Sequence, residues 1–192
     1  DGLFHLIYTD VKAWTGAFKD CHNYLITAPS IDGPWSEPVY LNSSGFDASL
    51  FHDDDGKKWL LNMLWDHRPG KNRFAGILLQ EYDAERRCLT GPIRNIFKGT
   101  EHGLVEGPHL YKKDGWYYLL TAEGGTSWDH AATVARARTI FGQYEVMPDN
   151  PLITSKYDIT LPLQRAGHGS FVETQNGKWY FVHLTGRPVM PE

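Results

Sequence analysis

Short runs of hydrophobic residues alternate with polar turns along this chain, and four of the runs begin in the same way. Each follows an Asp-Gly or Asn-Gly pair, the strongest short signal for a hairpin turn, because both central positions tolerate positive φ. The turn glycines are Gly2, Gly56, Gly115 and Gly177, spaced by 54, 59 and 62 residues. The pattern therefore predicts a repeated unit that is built on β-hairpins.

A second segment recurs without a gap, because residues 28–35 and 137–144 match at an offset of 109. It predicts a strand, a glycine turn and an outer strand that ends near Pro38 or Pro151. The clearest unit predicts four strands, with a turn or short helix at 84–87 before the last of them. These strands cover residues 48–52, 59–64, 74–82 and 91–97.

The second strand of each unit is apolar on both faces, as at 59–61 and 117–120, which predicts cover from sheets on both sides. Four-stranded antiparallel sheets that pack face to face around an axis form a β-propeller. A helix over 77–89 is the alternative, since Leu78, Tyr82 and Leu89 could share a face, but the repeat register favours strands. We therefore expect an all-β fold.

The blade count predicts a partial propeller with two complete four-stranded blades and two incomplete ones. A closed propeller of four or more such blades needs more than 192 residues. We therefore expect residues 1–192 to be an interior fragment of one longer propeller domain. Its blades are predicted at approximately 1–43, 44–99, 104–154 and 165–192.

The composition is that of a globular protein, with 41% hydrophobic and 22% charged residues and a formal net charge of -4. This balance disfavours a nucleic acid or an anionic membrane surface as partner. Aromatic residues reach 14%, which indicates aromatic-rich strands or a site that stacks on rings. With only Cys21 and Cys88 no disulfide framework is expected, and a reducing compartment and indifference to redox conditions fit equally well.

Three ionisable residues occupy one repeat position, because Asp47, Glu106 and His168 each lie nine residues before a turn glycine. The first strand of a propeller blade is innermost, so we expect these side chains to converge at one end of the central channel. Two carboxyl groups in such a pocket suit acid/base chemistry, since one of them keeps its proton near neutral pH. His168 could be a structural histidine, a substrate donor or a metal ligand.

The loops that follow the second strands carry candidate sugar-binding residues, Trp65, Thr126 and Trp128. Rings and hydroxyl groups around a carboxyl pair are typical of a carbohydrate site, where apolar sugar faces stack on aromatic side chains. Tryptophans that fill gaps between blades are the alternative. We favour this packing role for Trp59 and Trp116, which lie inside predicted strands.

Three segments resemble glycoside hydrolase family 43, particularly its β-xylosidases; they are residues 45–51 (GFDASLF), 105–111 (VEGPHLY) and 167–170 (GHGS). The resemblance implies a five-bladed propeller that hydrolyses β-1,4-xylosides from the non-reducing end with inversion, and α-L-arabinofuranosides as further substrates. It implies that Glu106 is the general acid and that Asp47 orients it and raises its pKa. Phe46 would form part of the pocket wall. His168 would lie at the axis, where some relatives hold calcium, although no cofactor is required.

One departure from the family pattern is that no segment here matches the family's general-base Asp, which is expected upstream of Asp1. We therefore expect that this fragment belongs to a glycosidase of the β-xylosidase type and that the fragment alone is inactive. Xylo-oligosaccharides are the expected substrate, and a homo-oligomer in the cytoplasm is the expected state. A non-catalytic glycan-binding propeller is the alternative, and a fructan-cleaving propeller would need an Arg-Asp-Pro segment that is not found.

Overall fold

The computed structural model describes residues 2–187. All the regular secondary structure assigned among these residues is β-strand, which confirms the all-β prediction. No helix that could cross a membrane occurs among these residues. The strands are β1 (Phe4–Ala13), β2 (Asp20–Ala28), β3 (Val39–Asn42), β4 (Ser49–His52), β5 (Lys58–Trp65), β6 (Phe74–Asp83), β7 (Cys88–Phe97), β8 (Glu106–Lys113), β9 (Trp116–Glu123), β10 (Ala131–Ala137), β11 (Glu145–Val146), β12 (Ile153–Thr154), β13 (Gly169–Glu173) and β14 (Trp179–His183).

The chain divides into two compact units, and the first, Asp1–Phe97, contains two antiparallel sheets. A three-stranded sheet has the order β1-β2-β3, and a four-stranded sheet has the order β4-β5-β6-β7. One core joins the two sheets and consists of Leu25, Leu41, Leu60 and Tyr82. Five consecutive residues of β5 are buried, as the apolar run on both faces of this strand predicts.

The second unit, Lys98–Glu192, also contains two antiparallel sheets. The larger sheet has the order β11-β10-β9-β8, with β12 also paired to β10, and the smaller one consists of β13 and β14. Leu120, Ala132 and Val134 form a buried core against which Phe171 and Phe181 of the smaller sheet pack.

The four strands predicted for the clearest unit are confirmed as β4, β5, β6 and β7. The last of them begins at Cys88, three residues earlier than predicted, because a compact turn reverses the chain at 84–87. In this turn the Asp83 carboxylate accepts backbone N–H bonds from Glu85 and Arg86, at 3.0 and 2.9 Å. The helix over 77–89 is therefore excluded.

The outer strand of the repeat differs from the prediction, although the glycine turn before it is confirmed. The N–H groups of Gly33 and Gly142 donate to the carbonyls of Ser30 and Thr139, both at 2.9 Å. However, β3 begins after Pro38 and does not end there, and the corresponding edge of the larger second sheet is split into β11 and β12 around Pro151. Proline has no N–H to donate to a ladder, so pairing is interrupted at these positions.

The predicted hairpin turns are found at Gly56, Gly115 and Gly177, all of which have positive φ. Asp114 and Gly115 both have positive φ, 50° and 73°, as a two-residue type I′ turn requires. The first predicted turn includes Asp1, which lies outside the described residues.

Candidate active site

In the first unit, Asp47 ends a segment, Ser44–Asp47, that is fixed against the end of β5. The N–H of Met63 donates to the Phe46 carbonyl at 3.1 Å, and the N–H of Trp65 donates to the Ser44 carbonyl at 3.0 Å. A Cβ atom on Gly45 would lie 2.0 Å from the Met63 carbonyl oxygen, so only glycine fits there. Asp47 has a φ of 54°, a left-handed conformation that is uncommon outside glycine and is found often at functional sites.

Three aromatic rings surround Phe46, the residue before Asp47. Phe46 is 7% exposed, and its ring centroid lies 5.1 Å from that of Trp14, 6.1 Å from Trp65 and 6.5 Å from Phe74. The Trp65 indole N–H donates to the Ala17 carbonyl at 2.9 Å, which joins the loop after β1 to the end of β5. Trp65 is the last residue of β5, so its predicted position in the following loop is wrong by one residue, because pairing with Phe74 extends the strand. The structure thus brings Phe46 and Trp65 into one aromatic cluster; their contact with a sugar stays a prediction.

Phe74 and Lys19 are members of this cluster that the sequence analysis did not single out. The Lys19 ammonium lies 4.5 Å from the Trp14 ring centroid and 5.4 Å from that of Trp65. Phe74 is the first residue of β6 and directly follows a polar loop. This aromatic residue at the start of a strand is the sequence feature that could have identified it as part of the cluster. No sequence signal marks Lys19, because its cation–π contacts arise only when the loop after β1 packs against the end of β5.

Asp66 follows Trp65 but is not a candidate acid. Hydrogen bonds from the Arg68 guanidinium lower the pKa of Asp66 to about 2. Two of these bonds reach the carboxylate at 2.8 and 2.6 Å. Asp66 therefore stays ionised at neutral pH and anchors the loop after β5, where its N–H donates to the Arg73 carbonyl at 3.0 Å.

In the second unit, Glu106 is the first residue of β8, and its side chain is buried, with 8% of the residue exposed. The register of β8 shifts between Glu106 and His109, and Gly107 within this bulge has a φ of 57°. A Cβ atom on Gly107 would lie 2.7 Å from Nε2 of His168. The His168 imidazole therefore lies against the backbone next to Glu106, so the structure brings these two predicted residues into one neighbourhood.

His130 is a residue of this neighbourhood that the sequence analysis missed. It is 1% exposed, its Nε2 accepts the N–H of His168 at 2.8 Å, and its Nδ1 lies 2.6 Å from the Gly125 carbonyl oxygen. A backbone N–H only donates and a carbonyl only accepts, so the ring is neutral with its proton on Nδ1. Burial, with a smaller effect of His168, lowers the pKa of His130, which favours this neutral state.

No sequence signal marks His130, because its partner His168 lies 38 residues further along the chain. A Cβ atom on Gly167 would lie 2.0 Å from the His130 ring, so the close approach depends on glycine. His109 belongs to the same group, since burial and His168 lower its pKa to about 4. His109 is thus a half-buried and His130 a fully buried neutral ring, and both interact with His168.

Thr126 and Trp128 lie in the loop that His130 ties to His168. Both residues are exposed, Trp128 by 41%. The Arg165 guanidinium lies 5.0 Å from the Trp128 ring centroid and holds that ring from one side.

A buried carboxylate supports the segment that leads to β8. Glu123 is fully buried and accepts hydrogen bonds from the N–H and the hydroxyl of Thr100, at 2.9 and 2.8 Å, and from the Thr133 hydroxyl at 2.7 Å. These donors account for its burial, so Glu123 anchors Thr100 and is not a second catalytic acid. Among residues 2–187, no group of three or more His, Cys, Asp or Glu side chains could hold a metal ion. Calcium near His168 stays a prediction, since carbonyl oxygens and water can also bind this ion.

The model of the family described as glycosyl hydrolases family 43 matches residues 1–192. The chain is 62% identical to "Xylosidase/arabinosidase 43B" of Humicola insolens over 96% of its own length and 34% of that protein. It is 60% identical to "Beta-xylosidase" of Bacillus subtilis (strain 168) over 100% of its length and 36% of that protein. A crystal structure described as xylan beta-1,4-xylosidase from Bacillus halodurans C-125 superimposes with a TM-score of 0.96 and 66% identity, over 98% of this chain and 36% of the other. The chain thus spans about a third of the length of these relatives.

Proposed function

The chain belongs to glycosyl hydrolases family 43, and on that basis we propose that it forms part of an exo-acting β-xylosidase. The enzyme hydrolyses β-1,4-xylosides from the non-reducing end with inversion, and α-L-arabinofuranosides are a second substrate class. The observation that carries this proposal is the buried Glu106 beside His168, in a chain that is 60% identical to a protein named "Beta-xylosidase".

Glu106 is the general acid in this proposal. Inverting hydrolysis needs one carboxylic acid that protonates the departing glycosidic oxygen and one carboxylate that activates water on the opposite face of the sugar. Asp47 orients the acid, and its negative charge disfavours a second charge on Glu106, so that Glu106 keeps its proton near neutral pH. Water and carboxyl groups supply all the chemistry, so no cofactor takes part.

The substrate is a xylo-oligosaccharide, whose terminal sugar stacks on the aromatic cluster of Phe46 and Trp65. Trp128 offers a second ring, and Thr126 and His168 offer polar groups to sugar hydroxyls. The exposure of Trp128 supports stacking, which needs an open ring. The buried Phe46 supports the half-buried Trp65 from behind as part of the pocket wall.

The general base belongs to a part of the enzyme outside these 192 residues, in a five-bladed propeller of which this chain supplies an interior part. The chain covers 34% and 36% of its curated relatives, which supports this division. Without the base, this chain alone should be inactive on xylobiose, because general-base assistance is worth about 10² to 10⁴-fold. We place the whole enzyme in the cytoplasm as a homo-oligomer; Cys21 and Cys88, which are both free thiols, are compatible with a reducing compartment.

The proposal is tested on the whole protein that contains this chain, by NMR of the hydrolysis of an aryl β-xyloside, whose only sugar product is the xylose from the cleaved bond; xylobiose would also release a reducing-end xylose of mixed anomers. We expect α-xylose to appear first and to mutarotate later, as inversion of a β-xyloside requires. Release of β-xylose would exclude inversion. Binding of xylo-oligosaccharides without any hydrolysis would instead support the alternative, a glycan-binding module that uses the same exposed rings.

A further inference from the structure

A chain of hydrogen-bonded amide side chains, two buried and one half-buried, runs through the first unit and ends at the Ser44–Asp47 segment. The Thr9 hydroxyl donates to Asn23 Oδ1 at 2.7 Å, Asn23 Nδ2 donates to Asn42 Oδ1 at 2.8 Å, and Asn42 Nδ2 donates to Asn62 Oδ1 at 3.1 Å. Asn62 Nδ2 then donates to the Ser44 hydroxyl at 2.9 Å. We call these five residues the amide relay.

The relay also binds the backbone at two further points, one in the segment itself and one in β5 beside it. Asn23 Nδ2 also donates to the Gly45 carbonyl at 3.1 Å, and Asn62 Nδ2 donates to the Met63 carbonyl at 2.7 Å. The Met63 carbonyl is the group against which Gly45 packs, at a distance where no side chain fits. Asn23 is fully buried and Asn62 is 2% exposed, so each amide depends on these partners to replace water.

The inner face of β2 shows what lies on either side of the relay. Its buried residues are Cys21, Asn23 and Leu25, of which Leu25 belongs to the apolar core. Burial is the main cause that raises the pKa of the Cys21 thiol, and the charges of Asp20 and Asp47 raise it further, while Lys19 lowers it. Asp47 thus lies near the neutral thiol of Cys21. The amide relay, which lies between this thiol and the apolar core, contains no titratable group.

We propose that Asn23 and Asn62 are positioning residues that hold Asp47 in place through Gly45 and Ser44. A hydrophobic residue of the same size could fill the core at either position. Only an amide with a donor and an acceptor continues the relay and fixes the backbone two or three residues before Asp47. This inference deepens the proposed function and rests on the role given there to Asp47.

The test uses the whole protein that contains this chain and compares Asn62→Leu with Asn150→Leu. Leu approximates the shape of Asn and removes its hydrogen bonds in both variants. Asn150 is a matched control, because its amide binds only the backbone of Val134, at 2.9 and 2.7 Å, outside the relay. The readout is the basic limb of the pH profile of kcat/KM on xylobiose, which reports the pKa of the general acid.

We expect Asn62→Leu to lower kcat by about tenfold and to shift the basic limb to lower pH by ~0.5 to 1 unit, since a displaced Asp47 charge raises the acid's pKa less. Asn150→Leu should leave the limb in place even if its melting temperature falls as much. If Asn62→Leu does not fold, Ser44→Ala removes only the last contact of the relay and should shift the limb in the same direction. An unmoved limb in the folded variant would overturn the inference.

Asp47→Asn in the same series separates the two proposals. This variant alone should move the limb to lower pH, and adding Asn62→Leu to it should cause no further shift, because the charge to be positioned is gone. If Asp47→Asn moves the limb and the relay variants do not, the relay is structural only. If Asp47→Asn does not move it, the role of Asp47 in the proposed function is wrong.

Discussion

The imidazole of His168 lies directly against the backbone of Gly107, since a Cβ atom on Gly107 would come within 2.7 Å of its Nε2 atom. Gly107 follows Glu106 in the bulge of β8, so the position of the acid and that of the histidine depend on one glycine. Gly107 also has a positive φ of 57°. Replacement of Gly107 therefore tests whether activity depends on the close contact between its backbone and His168.

Gly107→Ala should therefore reduce kcat/KM on xylobiose by more than tenfold. Gly115→Ala is the matched control, because Gly115 has a φ of 73° in a hairpin turn and a methyl group added to it would meet nothing within 4 Å. Both variants should lose about 1 to 2 kcal/mol of stability from the left-handed backbone. Only Gly107→Ala displaces His168. Equal activity losses, measured at matched folded fraction, would show that the contact with His168 has no functional effect.

Replacement of His130 should affect substrate binding through the loop of Thr126 and Trp128. His130→Phe removes the acceptor for the His168 N–H and the donor to the Gly125 carbonyl, which leaves two half-buried groups unpaired at up to about 1 to 3 kcal/mol each. We expect kcat/KM on xylotriose to fall at least tenfold. His130→Gln keeps one donor and one acceptor and should lose less. Identical losses in the two variants would mean that ring packing alone matters.

Stability should fall as the pH drops below neutrality, partly because of His109. The pKa of His109 in the folded protein is about 4, below its ordinary value of 6.5, so the unfolded chain binds more protons between these values. Its stabilising effect is complete above pH 6.5 and is lost as the pH falls toward 4. His109→Phe should flatten this dependence by up to ~1.4 kcal/mol per pH unit in urea unfolding. Parallel curves for the two proteins would contradict the pKa shift.

The sequence predicted the strands well where the repeat and the turn chemistry agreed. The spacing of nine residues before each turn glycine also identified the starts of β4, β8 and β13, next to which Asp47, Glu106 and His168 lie. Such features are local, because a hairpin register is set by its turn and by the alternation of side chains. The division into five blades stays a prediction, as do the catalytic roles of the individual residues.

What the sequence did not reveal depends on which side chains meet after the sheets pack. His130 and Gly167 are 37 positions apart in the sequence, and Asn23 and Asn62 belong to different sheets. An isolated Asn or His in a strand pattern resembles an ordinary polar residue until its partner across the core is known. The split outer strand was missed for a related reason, since Pro151 interrupts the pairing without ending the edge of the sheet.

The most direct test of the central claim, that Glu106 is the general acid of a xyloside hydrolase, is a leaving-group comparison of Glu106→Gln in the whole protein. Its kcat/KM is measured on xylobiose and on an activated dinitrophenyl β-xyloside, with Glu101→Gln as an exposed control. We expect a loss of about 10² to 10⁴-fold on xylobiose, whose leaving group needs a proton, and a much smaller loss on the aryl xyloside. Equal losses on the two substrates would contradict the assignment.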